Sequence, residues 1–330
     1  MGKLQELSDA ASAIRALVSD PMPTLRFLPL ESVEPIPGVP QEPIVRYLTT
    51  RPPSDVQEGF RSRARTVMRD VDRGVSQGAH RWYHNEPVRR AFVDELGEEA
   101  GQGQYDLFAS MVAGSSSASD VRKNIQKASW YRQQALEGNL EPGIETADDA
   151  VAWLADNRPP AGYGSVASIN DALWTSRFLG GPQTWRAAEP GAAHKILSFD
   201  QNLRGNLAPW TGDRHEAARL GVPAVWNSRE KAWSKGMLTP NEYVAAERMM
   251  QRLASRVGLQ PAELQSARWM GGAKATGVES KDPSFSHAFE AVLSDRAARS
   301  GQSPERVLRT FIRDGGLLSV PAALAGLLEE

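Results

Sequence analysis

Hydrophobic residues recur at helical spacing through most of the chain. From residue 88 onward, apolar side chains return every three or four positions, and the strict alternation typical of strands is scarce. The pattern predicts helices over residues 88–100, 104–114, 119–137, 146–156, 165–179, 192–204, 213–220, 239–257, 260–270, 284–299, 303–314 and 317–328. We therefore predict an all-α fold without an internal repeat.

Residues of the N-cap type stand before three of these helices. Thr146 precedes two aspartates, and Thr239 and Ser303 each precede a proline followed closely by a glutamate. An oxygen-bearing cap followed by proline or by acidic residues is typical of a helix start.

The first part of the chain has a different character. Residues 1–20 predict a short amphipathic helix, and residues 21–53 hold nine of the 22 prolines, which indicates a linker or a wrapped arm. A helical pattern over residues 56–75 then carries five arginines: Arg61, Arg63, Arg65, Arg69 and Arg73. This basic helix is either a solvated face or a DNA contact.

Net charge and amino-acid composition exclude several classes of functional site. The formal net charge is −2, so nucleic-acid contact has to come from local patches. The absence of cysteine excludes disulfides, thiol nucleophiles, cysteine-ligated zinc and iron–sulfur clusters. His80 and His84 lack an H-E-x-x-H context and indicate surface imidazoles, so we expect no metal site. No apolar run has the length of a membrane span or a signal peptide, and we expect a cytoplasmic protein without a membrane partner.

Two neighbouring segments contain candidate chemistry. Residues 190–195, Pro-Gly-Ala-Ala-His-Lys, lie between two predicted helices and suggest the turn of a helical hairpin. Backbone N–H groups at the start of the second helix would favour an anion such as a DNA phosphate. Asp213 follows Lys195 by 18 residues (213 − 195) and stands at a predicted helix start.

These segments resemble the helix-hairpin-helix (HhH-GPD) DNA glycosylases. Residues 190–195 correspond to the P-G-V-G-x-K hairpin of that superfamily, and Asp213-Arg214-His215 corresponds to its D-T-H segment. The separation of lysine and aspartate is that of the endonuclease III branch, and residues 115–124 look like the S-A-Q-A-T-D-V-x-x-N stretch of that branch. Residues 195–205 and the Thr211–His215 segment also look like uncharacterised phage proteins related to these enzymes.

The resemblance implies a two-lobed helical fold with an N-terminal arm and a C-terminal extension. Residues 1–100 would hold the N-terminal helix, the arm and the basic helix, residues 101–221 the glycosylase-like core, and residues 222–330 a helical region packed on the core. The expected partner is double-stranded DNA with a flipped base, bound by a monomer that needs no cofactor.

Residue roles follow from the same resemblance. Asp213 and Lys195 are the candidate catalytic residues. Candidate DNA contacts are Gly191, Ala193, His194, Arg122, Lys123 and Ser117, and the candidate base pocket consists of Trp210, His215, Trp130 and Tyr131. Ala193 replaces the second hairpin glycine, and Ser117 replaces a gap-filling glutamine. Trp130, Tyr131, Trp82 or Tyr83 would then be the wedge. Arg122, Lys123, Lys127 and Arg132 interleave with aromatic residues and suggest either a phosphate-binding surface or an ordinary amphipathic helix.

Three functions stay open at this point. The first is a DNA N-glycosylase that removes a damaged or modified base, including the hypermodified bases of phage DNA. The second is a transferase that modifies DNA bases on the same scaffold, and the third is a DNA-binding module without catalysis. In the third, Asp213 is an ordinary helix cap. Lys195 is either a Schiff-base nucleophile or a residue that faces phosphate or solvent.

Overall fold

A computed structural model describes residues 66–116, 120–159, 165–180, 190–220, 240–272 and 282–317, together with 222, 225–227, 232–234 and 238. Its helices confirm the predicted all-α class. They are α1 (66–76), α2 (Glu86–Leu96), α3 (Glu98–Gly114), α4 (Val121–Leu136), α5 (Ala147–Asp156), α6 (Ser165–Gly180), α7 (Pro190–Leu203), α8 (Arg214–Arg219), α9 (Pro240–Arg256), α10 (Pro261–Gly271), α11 (Phe285–Ser300) and α12 (Pro304–Asp314), with a 3-10 helix at Ala79–Arg81. None of the described helices combines the length and the apolar character that crossing a membrane requires.

Local capping explains why several helix starts agree with the sequence pattern. The Thr146 side chain accepts a hydrogen bond from Asp149 N, and the Asp149 side chain accepts one from Thr146 N, which forms a capping box at α5. Ser303 caps α12 through Arg306 N. Such caps contribute about 1 kcal/mol each. Several predicted features lie outside the described residues: the helix 1–20, the arm 21–53, Thr239, residues 318–328, and Arg61, Arg63 and Arg65 of the basic helix.

A two-stranded antiparallel ribbon was not predicted. Its strands are β1 (Val225–Asn227) and β2 (Ala232–Ser234), with Trp226 opposite Trp233. Strands of three residues are too short for an alternating pattern to stand out in the sequence.

The chain packs as two compact units, each built from two separate stretches. Unit I takes Met1–His84 and Ala188–Ser284, and unit II takes Asn85–Ala187 and Phe285–Glu330. The predicted core segment, residues 101–221, is therefore shared between the two units.

The core of unit I lies among α1, α8, α9 and α10. Two glycines allow α1 and α10 to approach closely, because a Cβ on Gly74 would overlap the backbone of Ala267 and one on Gly271 would overlap the backbone of Asp70. The buried side chains of this core are Val67, Met68, Val71, Val75, Trp210, Ala217, Leu220, Leu238, Tyr243, Ala245, Ala246, Met249, Met250, Leu253, Ala254, Val257, Leu264 and Ala267.

The core of unit II is aromatic and contains a buried arginine. Phe92, Phe108 and Phe311 contact one another, with ring centroids 5.1 Å apart for Phe108 and Phe311. Arg132 of α4 donates to the carbonyls of Phe311 and Ile312 near the end of α12, both at 2.7 Å. Its guanidinium also lies over the rings of Phe92 and Phe311, so Arg132 ties the end of one helix to the aromatic core.

Candidate functional site

Asp213 is the N-cap of α8. Its Oδ1 atom accepts hydrogen bonds from His215 N at 2.8 Å and from Glu216 N at 2.9 Å. The side chain is half-buried, and both backbone bonds go to one carboxylate oxygen. The helix start thus fixes the orientation of the carboxylate and leaves Oδ2 outside the cap. The predicted start of this helix is confirmed.

The segment that leads to Asp213 is held from α9. The Tyr243 hydroxyl donates to Trp210 O at 2.6 Å and accepts from Gly212 N at 3.0 Å. The carboxylate of Glu247, one turn further along α9, accepts from Trp210 N at 2.9 Å. Tyr243 and Glu247 are both buried, so residues 210–212 are anchored by hydrogen bonds that water does not compete for.

A layer of buried polar groups lies on another side of this segment. The Tyr83 hydroxyl donates to Gln265 Oε1 at 3.0 Å, and the side chains of Asn202 and Thr211 are 2.9 Å apart. Burial raises the pKa of Tyr83, and the negative charge of Asp213 raises it further, so the phenol stays protonated and keeps its donor role.

Two ion pairs fix α8 against the rest of unit I. Glu216 pairs with Arg268 of α10, and Arg219 pairs with Asp70 of α1. Burial raises the pKa of Glu216 to about 7, although Arg268 and Arg219 both act in the opposite direction. The helix that Asp213 caps is therefore connected to α10 by a pair that is fully shielded from solvent.

Lys195 lies on α7 beside the aromatic ring of Phe199. Its Nζ atom is 5.6 Å from the centroid of the Phe199 ring, one turn along the helix. The centroids of Phe199 and Tyr83 are 6.1 Å apart. Lys195 is half-buried. The two candidate catalytic residues thus belong to the same unit.

Residues 190–195 do not form the predicted turn. They are the first residues of α7, which begins at Pro190. Proline is favoured in the first turn of a helix because its missing N–H would have no partner there. The N–H groups of Gly191 and Ala192 therefore have no acceptor within the helix, whereas Ala193 is the first residue placed to make a helical hydrogen bond, so the predicted helix start remains without the predicted turn at residues 190–195.

Several aromatic and imidazole groups predicted to contact DNA lie in the interior of unit I. Trp210 is 0% exposed and packs against Tyr243, so no face of its ring is open to a base. His194 is 2% exposed and its ring stacks on Tyr243 at 5.2 Å. Trp82 and Tyr83 are also buried, which removes them as wedges in this structure. His215 is half-buried, and its backbone N–H belongs to the cap.

The predicted residues of α4 belong to unit II, and most of them face its interior. Trp130 and Tyr131 are buried beside Trp153, and the Tyr131 hydroxyl donates to Ser168 O at 3.2 Å. The interpretation of α4 as a continuous basic surface is wrong, since Lys127 pairs with Asp171 inside the unit and Arg132 lies in the aromatic core. Arg122 and Lys123 are half-buried in the first turn. Ser117 lies outside the described residues.

Sequence reasoning did not single out the side chains that build the surroundings of Asp213. Tyr243 and Glu247 of α9 were counted only as part of a helical pattern, and Arg268 as part of another. One local signal was available, because Glu216 follows Asp213 by three residues, which is the spacing of a capping box. In the structure, the Glu216 side chain pairs with Arg268, 52 residues away (268 − 216).

The arrangement offers an oriented carboxylate, a lysine and a buried polar layer. Among the described residues, no group of three histidine, aspartate or glutamate side chains has the geometry of a metal site. Comparison of the sequence with protein-family models and with curated proteins, and of the fold with solved structures, finds no match. The function therefore has to be inferred from the site itself.

Proposed function

We propose that this protein is a DNA N-glycosylase with a two-lobed HhH-GPD-type fold that removes a modified or damaged base. One observation carries the proposal: Asp213 is half-buried at the start of α8, with Oδ1 fixed by two backbone N–H groups. Glycosidic cleavage needs an oriented carboxylate of this kind beside the sugar, and the position of Lys195 in the same unit agrees with it. The division of the chain into two helical units supports the two-lobed fold.

In this mechanism, the target nucleotide leaves the base stack, which costs a few kcal/mol, and its sugar lies against Asp213. The bond between C1′ and the base nitrogen breaks, and the base leaves with the electron pair. The carboxylate stabilises the positive charge that develops on the sugar. Water then adds to C1′, and its proton passes to Asp213 and from there to the departed base, so the products are the free base and an abasic site.

Lys195 supplies the alternative nucleophile. A deprotonated Nζ would attack C1′ in place of water and form a Schiff base, which is followed by strand cleavage. The ring of Phe199 beside Nζ provides an apolar contact, although the lysine is only half-buried. The start of α7 supports a phosphate contact, because its first N–H groups lack helical acceptors and the helix dipole favours an anion.

The decisive experiment compares the wild-type protein with Asp213→Asn on unmodified, damaged and phage-derived hypermodified DNA. Asparagine is as good an N-cap as aspartate, so the variant keeps α8 and removes only the charge. We expect base release, measured by mass spectrometry, in the wild type and its loss in Asp213→Asn. Asp120→Asn is the matched control, because Asp120 is the N-cap of α4 in unit II and accepts from Lys123 N.

A non-catalytic DNA-binding module is the second candidate, favoured by the role of Asp213 as a helix cap. In that case the same DNA panel gives no released base, and Asp213→Asn binds DNA as the wild type does. A base that changes mass and stays attached would instead support a base-modifying transferase. Each of these results contradicts the glycosylase proposal.

A further inference from the structure

Three arginines form a stripe along α9. Arg248, Arg252 and Arg256 are spaced four residues apart, so each lies about 6 Å further along the helix axis and on the same side as the one before. Arg252 and Arg256 are exposed and Arg248 is half-buried. We refer to these three residues as the arginine stripe.

The stripe has one neighbouring counter-charge on its own helix, Glu247, which acts to raise the pKa of Arg248. The positions of α9 that lie three and four residues away from each arginine hold apolar side chains, Gln251, Ser255 or another arginine. Like charges at this spacing weaken a helix. Burial and the charge of Arg252 both lower the pKa of Arg248, and the Nη2 atom of Arg248 is buried without a hydrogen-bond partner among the described residues.

Three surface arginines of other helices differ from the stripe in this respect. Arg90 pairs with Asp94 on α2, and Arg309 and Arg313 of α12 both pair with Glu95. The arginines of the stripe make no ion pair with the described residues. A row of unpaired guanidiniums is the arrangement that binds successive phosphates of a polynucleotide.

The stripe lies on the helix that holds the candidate site. Tyr243 and Glu247 anchor residues 210–212 from one face of α9. Arg248 follows Glu247 by one residue, which turns its side chain about 100° around the helix. The stripe is thus the face of α9 next to the one that supports Asp213, and both belong to unit I.

We infer that the arginine stripe binds the phosphate backbone of the DNA on which the Asp213 site acts, an inference that rests on the proposed function. Its contribution is electrostatic and independent of sequence, because guanidinium–phosphate contacts carry no base information. Each phosphate neutralised by an arginine releases condensed counterions from the DNA.

The test is the salt dependence of binding to a short, fluorescent, unmodified DNA duplex, measured by anisotropy over a KCl series. In the plot of log Kobs against log [KCl], we expect Arg252→Gln and Arg256→Gln each to flatten the slope by about 0.9. Arg252→Lys keeps the charge and should keep the slope. Arg90→Gln and Arg309→Gln are the controls and should also leave it unchanged.

Thermal unfolding separates a binding role from a structural one. Because the substitutions remove like-charge repulsion, the Tm of Arg252→Gln should equal or exceed that of the wild type. Three results would each overturn the inference. They are slopes that do not change, a wild-type protein that does not bind the duplex, and a loss of affinity that accompanies a lower Tm. Base release that depends on Asp213 is measured separately, so a failure of the stripe and a failure of the glycosylase proposal give different results.

Discussion

Arg268 and Glu216 form an ion pair in which each side chain is 1% exposed. Removing one partner of such a pair leaves an uncompensated charge in the core, which costs about 3–5 kcal/mol, whereas replacing both with apolar side chains costs far less. We therefore expect Arg268→Met and Glu216→Leu each to destabilise the protein strongly in urea melts, and the double variant to be much more stable than the sum of the two predicts.

The exposed pair of Arg90 and Asp94 provides the comparison for this cycle. Its side chains are 65% and 60% exposed, and pairs of this kind contribute less than about 1 kcal/mol. If the two cycles gave similar coupling energies, the buried pair would not be the element that fixes α8.

Gly212 is needed because the Trp210 ring occupies the space beside it. A Cβ at residue 212 would overlap the ring, and the ring is fully buried and cannot withdraw into solvent. Gly212→Ala should lower the free energy of unfolding by roughly 1–3 kcal/mol, the usual cost of overpacking. Base release should fall as well, because residue 212 directly precedes Asp213.

Gly103→Ala is the matched control for that substitution. Gly103 lies on the exposed side of α3, and a Cβ there meets nothing within 4 Å. Alanine in a helix interior is favoured over glycine by roughly 0.5–1 kcal/mol, so this variant should be slightly more stable than the wild type. An equal loss of stability in both variants would contradict the packing argument.

The helices could be predicted from the sequence, because their causes are local. Thr146, Ser303 and Asp213 each bond to backbone N–H groups within three residues, and the apolar periodicity places each helix without knowledge of its neighbours. The apolar pattern predicted one helix over residues 88–100 and missed the boundary at Gly97. In the structure, Gly97 has a positive φ of 84° and separates α2 from α3.

The interior of unit II could not be predicted, because it depends on pairs of residues that are distant in sequence. Arg132 and Lys127 belong to a pattern that equally suits an exposed basic face. Their burial depends on Phe311, 179 residues away, and on Asp171, 44 residues away (171 − 127). Residues 190–195 were misinterpreted for a related reason, since proline and glycine occur both in a turn and in the first turn of a helix.

Glu247 makes stability depend on pH. Burial raises the pKa of Glu247 to about 7, from an ordinary value of 4.5. The folded protein therefore holds a proton that the unfolded chain has released, and the stabilisation it provides is complete below pH 4.5 and is lost as the pH rises through 7. As the pH rises from 4.5 to 7, we expect the unfolding free energy of Glu247→Gln to increase relative to that of the wild type by on the order of 3 kcal/mol.

Urea melts of the wild type and of Glu247→Gln at several pH values measure this difference. Every other titrating group contributes equally to both proteins, so its contribution cancels when the two are compared. Glutamine keeps the carbonyl that accepts from Trp210 N, so the fold around residues 210–212 is retained. Glu99→Gln at an exposed position of α3 is the control. A difference that is constant with pH would show that Glu247 does not titrate in this range.

His194 is expected to act in the opposite direction over an overlapping range. Burial lowers the pKa of His194 from 6.5 to about 4, and neither ring nitrogen has a hydrogen-bond partner among the described residues. The ring therefore stays neutral in the fold while the unfolded chain takes up a proton. Its stabilisation is complete above pH 6.5 and is lost as the pH falls towards 4, by on the order of 3 kcal/mol.

His194→Phe removes this titration and keeps the stacking partner of Tyr243. Relative to the wild type, we expect the variant to gain stability progressively as the pH is lowered from 7 to 4, and to be at least as stable at pH 7, because no polar ring atom is left without a partner. Exposed His84, which lies 2.9 Å from Glu263, gives the control variant His84→Phe. If the gain for His194→Phe were absent at low pH, the imidazole would be accessible to water and free to take up a proton, and the predicted contact of His194 with DNA phosphate would again fit the structure.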